Sequence, residues 1–414
     1  MRCATAARWP RVARLEQMLL LFVIFIFVLL HVQFFVRNIF FGVDESTFFT
    51  FTVRYIFERD IAIASLWFSI ICTAAFALGY WAAYGKRQPV KLGDAFAAHK
   101  RSPTPLGALA AAGMLQVVAG LYVVVTSRFQ YQAIAETLES SGFMFELRVL
   151  YLVLLSHLML NVPLADILQL RRYRSVLYVL GGYIVSTLLL QQRSRLFEVA
   201  AITLFTQLMW AGDKVKLKYF AVVGLALLAP NVIVLGRLGW PENFSALVDG
   251  LFSFEYTILF NNLLSAAIDA GPQTAGGFTF TPSLGLMLPS PIRALFGIDV
   301  QKSEYYGDLA DIAQIKNGGF SLLAEMFTNF GWASPLVLLG LGLMIGRFNR
   351  SVSRVGRVSV MAAAAPLFYT AFILAFRNDF GVFLKYVLQL LVVAAILHAS
   401  IGAPVRRKAV HAKA

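Results

Sequence analysis

Residues 237–331 read RLGWPENFSALVDGLFSFEYTILFNNLLSAAIDAGPQTAGGFTFTPSLGLMLPSPIRALFGIDVQKSEYYGDLADIAQIKNGGFSLLAEMFTNFG. The rest of the chain is apolar runs joined by short turns, so this stretch sets the organisation. Short turns only close hairpins, and a single long loop made of short amphipathic pieces is where function concentrates. Phe252–Ala267 has apolar residues close to helical spacing, with Glu255, Asn261 and Asn262 among them. Gly271–Gly285 is rich in Gly, Thr and Pro and reads as irregular. Pro289–Gly297 predicts a short helix, since Pro suits a first turn and Gly ends it. That helix carries Arg293 at an interface, with Ile292, Leu295 and Phe296 on its apolar face. Helical spacing from Asn317 onward puts Ser321, Glu325, Thr328 and Asn329 on one polar stripe, with Leu322, Leu323, Met326 and Phe330 elsewhere round the axis. The stripe could be the wet face of a surface helix. However, this helix runs straight into an apolar span at Trp332, which directs the stripe to protein or to a water-filled cavity near membrane depth.

Working outward, the 414 residues are 59% hydrophobic and 14% charged, with mean hydropathy +0.71. A soluble domain carries about 25% charge. Runs of roughly 20 apolar residues are long enough to cross a bilayer as helices. They are continuous rather than alternating, which excludes a β-barrel. The fold expected is all-α and polytopic, a single membrane domain over 1–414. Ten spans are expected near 17–36, 61–84, 105–126, 147–165, 175–191, 196–210, 219–236, 332–346, 359–376 and 380–400. The first is too long for a signal-peptide core and reads as a retained span.

A net charge of +14 invites a nucleic-acid partner, but its distribution argues against one. With both termini cytoplasmic, the inside segments hold 23 of the 36 Lys and Arg and four of the 22 acids. The inside groups include Lys86, Arg87, Arg171, Arg172, Lys214, Arg347 and Arg406. This is the positive-inside pattern, repeated over six segments, and a basic rim also suits anionic membrane lipid. The charge therefore reports topology. Cys3 and Cys72 are isolated and the five histidines are scattered, so neither disulfide nor metal cluster is expected.

Two short outside turns break the charge pattern. One is Gln191-Gln192-Arg193-Ser194-Arg195, followed by Glu198. The other is Phe376-Arg377-Asn378-Asp379-Phe380, followed by Lys385. A guanidinium at the membrane rim needs an anion. Arg195 with Glu198 at i,i+3, and Arg377 with Asp379, could be local pairs. The functional alternative is a phosphate or pyrophosphate clamp, for which the arginine fork is suited. In the first outside loop, Asp44 and Glu45 could serve a metal, or simply join Arg54, Glu58 and Arg59 in a solvated, internally paired loop.

The segment GGFSLLAEMFTNFGWASPLVLLGLGLMIGR resembles the Wzy-type O-antigen (oligosaccharide repeat-unit) polymerases, which show a Gly-Ser…Glu…Asn-Phe-Gly signature entering a late span after a large periplasmic loop. QQRSRLFEV resembles their arginine hairpin and FRNDF their last outside turn. The resemblance implies an inner-membrane glycosyltransferase with 237–318 as the large periplasmic loop. Its acceptor is a lipid-linked repeat unit whose sugar hydroxyl attacks the anomeric carbon of a chain carried on undecaprenyl pyrophosphate. The lipid pyrophosphate leaves. Arg193, Arg195, Arg377 and Arg293 are the candidates for binding it, without metal or other cofactor. Glu325 is the first candidate for the base and Asp379 the second. A chain-length regulator is an implied partner. The alternatives are the related O-antigen ligases, which use a loop histidine that this loop lacks, metal-dependent GT-C transferases acting through Asp44 and Glu45, and a flippase or transporter for a lipid-linked glycan.

Overall fold

A computed structural model describes residues 11–13, 24, 35, 39, 45–48, 51–54, 58–84, 105–128, 134, 142–162, 164–190, 193–211, 215–216, 255–272, 295–297, 321–354, 365–371 and 380–401. Helices dominate them. In chain order these are α1 (Arg59–Tyr84), α2 (Leu106–Thr126), α3 (Gly142–Asn161), α4 (Leu164–Gln169), α5 (Arg174–Leu189), α6 (Arg193–Ala211), α7 (Glu255–Ala270), α8 (Leu322–Phe330), α9 (Ser334–Arg354) and α10 (Phe380–Ile401). A further helical stretch covers 365–371. The expected spans 17–36 and 219–236 and most of 359–376 lie outside the described residues, as does most of 237–318.

Among the described residues, three helical segments are long and apolar enough to cross a membrane: Arg59–Ala83, Leu106–Thr126 and Leu322–Arg350, the last made of α8 and α9. Large apolar side chains face outward from them, including Trp67, Leu78, Trp81, Met114, Tyr122 and Leu336. Polar groups such as Ser65, Ser69 and Gln116 are buried inside. Apolar outside and polar inside is the pattern a hydrocarbon solvent selects.

Two minimal antiparallel pairs, which the apolar-run reading does not anticipate, accompany the helices. β1 covers Arg11–Ala13, and β2 (Glu45–Phe48) pairs with β3 (Phe51–Arg54). β4 (Val215–Lys216) pairs with β1. The β2–β3 register sets Glu45 opposite Arg54.

The helices pack by close backbone approach. α1 and α9 run parallel: Gly79 lies against Leu339 and Leu343, Gly342 against Phe76 and Tyr80, and Gly346 against Tyr80 and Ala83. A Cβ on Gly79 would lie 2.1 Å from the Leu339 carbonyl oxygen, and one on Gly342 would lie 2.2 Å from that of Phe76. Between helices in lipid, such small residues supply the contact that the hydrophobic effect cannot. α2 and α5 are likewise parallel, with Gly113 against Val179 and Gly120 against Ser186 and Leu190.

α3 is the hub. From Val149 to Leu160 almost every apolar side chain is buried, so this helix is enclosed all round. It starts five residues before the expected span and stops at Asn161. The residue before Pro163 is pushed out of helical conformation, and Pro163 donates no backbone bond. α3 and α6 run parallel, with Arg148 meeting Glu198 near their starts. Farther along, Thr203 and Thr206 reach the Met159 sulfur at 3.7 and 3.8 Å.

The two helices of the long segment lie inside the protein. α7 packs on α8 and on α1, where Ser265 and Ser65 share a hydrogen bond of 3.1 Å. Leu322 to Asn329 are all buried, which removes the wet-face alternative for the polar stripe. Two details of that stretch need correcting. Ser321 is not in the helix but caps it: its backbone is extended, and its Oγ accepts the Ala324 N–H at 3.1 Å. Nor does the helix run unbroken into the next span. Gly331 turns left-handed (φ +53°), a 3-10 turn spans Gly331–Ala333, and Ser334 ties the break by donating to the Met326 and Gly331 carbonyls.

Candidate functional site

The starts of three helices and the middle of a fourth bring five ionisable side chains together in the interior. α3 contributes Arg148 from its second turn, and α6 contributes Arg195 from its first turn and Glu198 from its second. α5 contributes Tyr183, and α10 contributes Tyr386 from its second turn. All five are buried: Arg148 is 8% exposed, Arg195 5% and Glu198 2%. Arg148 Nε stands 3.6 Å from Glu198 Oε2, an ion pair longer than a hydrogen bond. Arg195 interacts electrostatically with Arg148, Tyr183 and Glu198. The Tyr386 phenol stands beside the Glu198 carboxylate as a donor. The Tyr183 ring leans on Tyr151 at 4.9 Å between centroids, and Tyr151 in turn fills the space left by Gly113.

The sequence explains this assembly. Arg148 and Glu198 occur six or fewer residues from the starts of helices that run parallel, so the charges reach the same level. The N-terminal ends of α3, α6 and α10 meet there, and each end carries partial positive charge. Arg195 is therefore placed against three unfavourable factors at once. It is desolvated, it sits in a helix first turn where the macrodipole opposes a cation, and it has a second guanidinium for a neighbour. Its Nε is buried without a hydrogen-bond partner among the described residues. Stability alone does not select such a group. Chemically, the cluster offers two planar guanidinium forks and phenol donors to a multivalent anion.

Of the candidates read from the sequence, Arg195 is in this cluster. Arg193 opens α6, with its side chain outside the described residues. Arg377, Asp379 and Arg293 are also outside them. Arg377 and Asp379 do immediately precede α10 in the chain, and α10's first turns reach Glu198. The two arginine hairpins thus lead into helix ends that converge. The local Arg195–Glu198 pair is present as proximity, but the ion pair within 4 Å comes from α3. Arg148 and Tyr386 were missed. Arg148 stands at the edge of an apolar run and Tyr386 within one. The available signal is a cation in the second turn of a helix that continues as an unbroken apolar run from Val149 to Leu155.

Glu325 belongs to a second polar group. It is buried on α8 in company with Ser321, Thr328 and Asn329, and α7 brings Asn261, Asn262 and Ser265, all fully buried. Asn329 donates to the Glu325 backbone carbonyl at 2.7 Å. Leu295 and Phe296, the described part of the expected interfacial helix, are exposed, and Gly297 (φ +60°) turns the chain after them.

Among the described residues, no group of three or more His, Cys, Asp and Glu could hold a metal ion. Comparison of the chain with family models, with curated proteins and with solved structures finds no match.

Proposed function

We propose that this chain is an inner-membrane polysaccharide polymerase. It transfers a growing glycan from undecaprenyl pyrophosphate onto a lipid-linked repeat unit at the periplasmic face. The observation that carries the reading is Arg195, a buried cation at a helix start beside the Arg148–Glu198 pair, with its Nε unpartnered among the described residues. The acceptor hydroxyl attacks the anomeric carbon, the bond to the pyrophosphate oxygen breaks, and negative charge collects on the departing pyrophosphate. Preorganised guanidinium groups in a low-dielectric site stabilise that charge as it develops. Arg148 and Arg195 fill this role, with Arg193 and Arg377 supplied by the adjoining hairpins and Arg293 by the long loop. Glu325 takes the acceptor proton, with Asp379 as the alternative base.

The proposed topology has ten spans, cytoplasmic termini and 237–318 in the periplasm. Relative helix directions support it. In that scheme the spans containing α1 and α9 both run inward, as do those containing α3 and α6, while α2 and α5 both run outward. Each of these pairs is parallel in the structure. β1 and β4, on segments both assigned to the cytoplasm, are paired. The scheme puts Arg148, Arg195, Glu198 and Tyr386 at the periplasmic end, level with a lipid pyrophosphate. The test is incubation of purified protein with lipid-linked repeat units. A ladder of products differing by one repeat supports a polymerase. A single transfer to a different acceptor lipid marks a ligase, and translocation without bond formation marks a flippase.

A further inference from the structure

The charge balance in the cluster points to a role for Glu198 distinct from catalysis. Resting on the pyrophosphate reading above, we infer that Glu198 is a resident counter-ion that the substrate's pyrophosphate displaces. It therefore sets the affinity of the site rather than building it.

Three observations carry this. First, the Glu198 carboxylate is the acid that faces both buried guanidinium groups, and it stands 3.6 Å from Arg148. A carboxylate built to fix an arginine would meet it in a bidentate pair at hydrogen-bond distance. Second, Glu198 Oε2 and Arg195 Nε make no hydrogen bond among the described residues. An anion that hydrogen-bonds Arg195 Nε gains a contact that the resident carboxylate does not make. Third, Glu198 occupies the place a phosphate would take: between two guanidinium groups, beside a phenol donor, at the meeting of three helix N-termini.

A bound pyrophosphate and an ionised Glu198 repel each other. The anion must therefore turn Glu198 away or cause it to take up a proton, and Tyr386 provides the adjacent donor that the released carboxylate can keep. Glu198 becomes a specificity element. A monovalent anion gains little over the carboxylate already present, whereas a pyrophosphate of higher charge exchanges with it. If the Glu198-paired state holds about nine-tenths of the molecules, it lowers anion affinity about tenfold.

The experiment titrates the full-length protein in detergent with inorganic pyrophosphate and, in parallel, with phosphatidylglycerol. The variants are Glu198→Gln and Glu198→Asp, and thermal midpoints are recorded alongside. Glu198→Gln should bind pyrophosphate about tenfold more tightly while melting lower, two shifts of opposite sense that loss of structure alone does not produce. Glu198→Asp keeps the charge on a shorter stem and should bind with intermediate affinity. It carries the test if the glutamine variant does not fold. Wild-type binding with equal or weaker binding by the variants overturns the exchange and leaves the anion site standing. No pyrophosphate or phosphatidylglycerol binding by any form overturns both. Phosphatidylglycerol binding that tightens in the variants while pyrophosphate is ignored supports the exchange and removes the substrate reading.

Discussion

Arg148→Met keeps most of the side chain's apolar stem and removes its charge. Glu198, 2% exposed, then loses the ion pair that α3 supplies. Removing one partner of a buried pair typically costs about 3–5 kcal/mol, because the other charge is left uncompensated. Arg195→Met is a different case. It takes away a cation that opposes the start of α6, a conflict worth about 0.3–1 kcal/mol at an exposed helix end, and it relieves repulsion with Arg148. The expected order in ligand-free detergent is therefore a strongly lowered thermal midpoint for Arg148→Met and a midpoint at or above wild type for Arg195→Met. Arg148→Met with Glu198→Gln should recover most of the loss, since the two substitutions share one interaction. The assay is a thermal aggregation midpoint at matched protein and detergent concentration. If Arg195→Met is as damaging as Arg148→Met, the local i,i+3 pair within α6 is what holds Glu198, and the account of an under-compensated Arg195 is refuted.

Three further outcomes are expected. Gly342→Val drives a side chain into the α1 backbone at Phe76 and should cost at least the 1–3 kcal/mol typical of overpacking, while Gly340→Ala, which meets nothing within 4 Å, should be neutral or mildly stabilising; yield and thermal midpoint in detergent separate the two. A cysteine at position 283, replacing Ser283, should react with a membrane-impermeant reagent applied from the periplasm, and protection there would invert the proposed sidedness of every loop. Polymer formation should survive EDTA, and a loss that Mg²⁺ or Mn²⁺ restores would move attention to Asp44 and Glu45.

Much of the architecture was legible because a bilayer imposes it. Apolar runs gave α1, α2, α5 and α10 to within two residues, since hydrocarbon tolerates only helices whose backbone bonds are internally satisfied. What failed was local backbone chemistry. α3 began early because Gly142–Glu146 joined the helix, and it ended early at Pro163. The passage from α8 to α9 was read as one helix because Gly331 in an apolar context carries no charge or polarity signal, only the freedom to turn left-handed. The burial of α8 was anticipated from its position, but nothing in its spacing told that its apolar face would be covered too. That depends on α7, which comes from a distant part of the chain. The charged cluster was half legible. Arg195 stood out because it broke the charge pattern. Arg148 did not, because a single arginine at the edge of an apolar run looks like a side chain reaching for the headgroups. Only the parallel packing of α3 on α6 turns it inward to Glu198.

In the proposed reaction the buried arginines at these helix starts serve a pyrophosphate leaving group. The measurement that tests it most directly is polymer length and yield from lipid-linked repeat units, at matched amounts of folded protein, for Arg195→Ala and Arg195→Lys, with Arg377→Ala alongside. The account predicts that Arg195→Ala loses about 10²–10³ in rate, as removal of one preorganised donor does. It predicts that Arg195→Lys recovers only part of this, because a lysine is a point charge that cannot meet two phosphate oxygens as a fork. A polymer ladder close to wild type from both alanine variants would contradict it and would shift the search for the reacting groups to Glu325 and the buried polar face of α8.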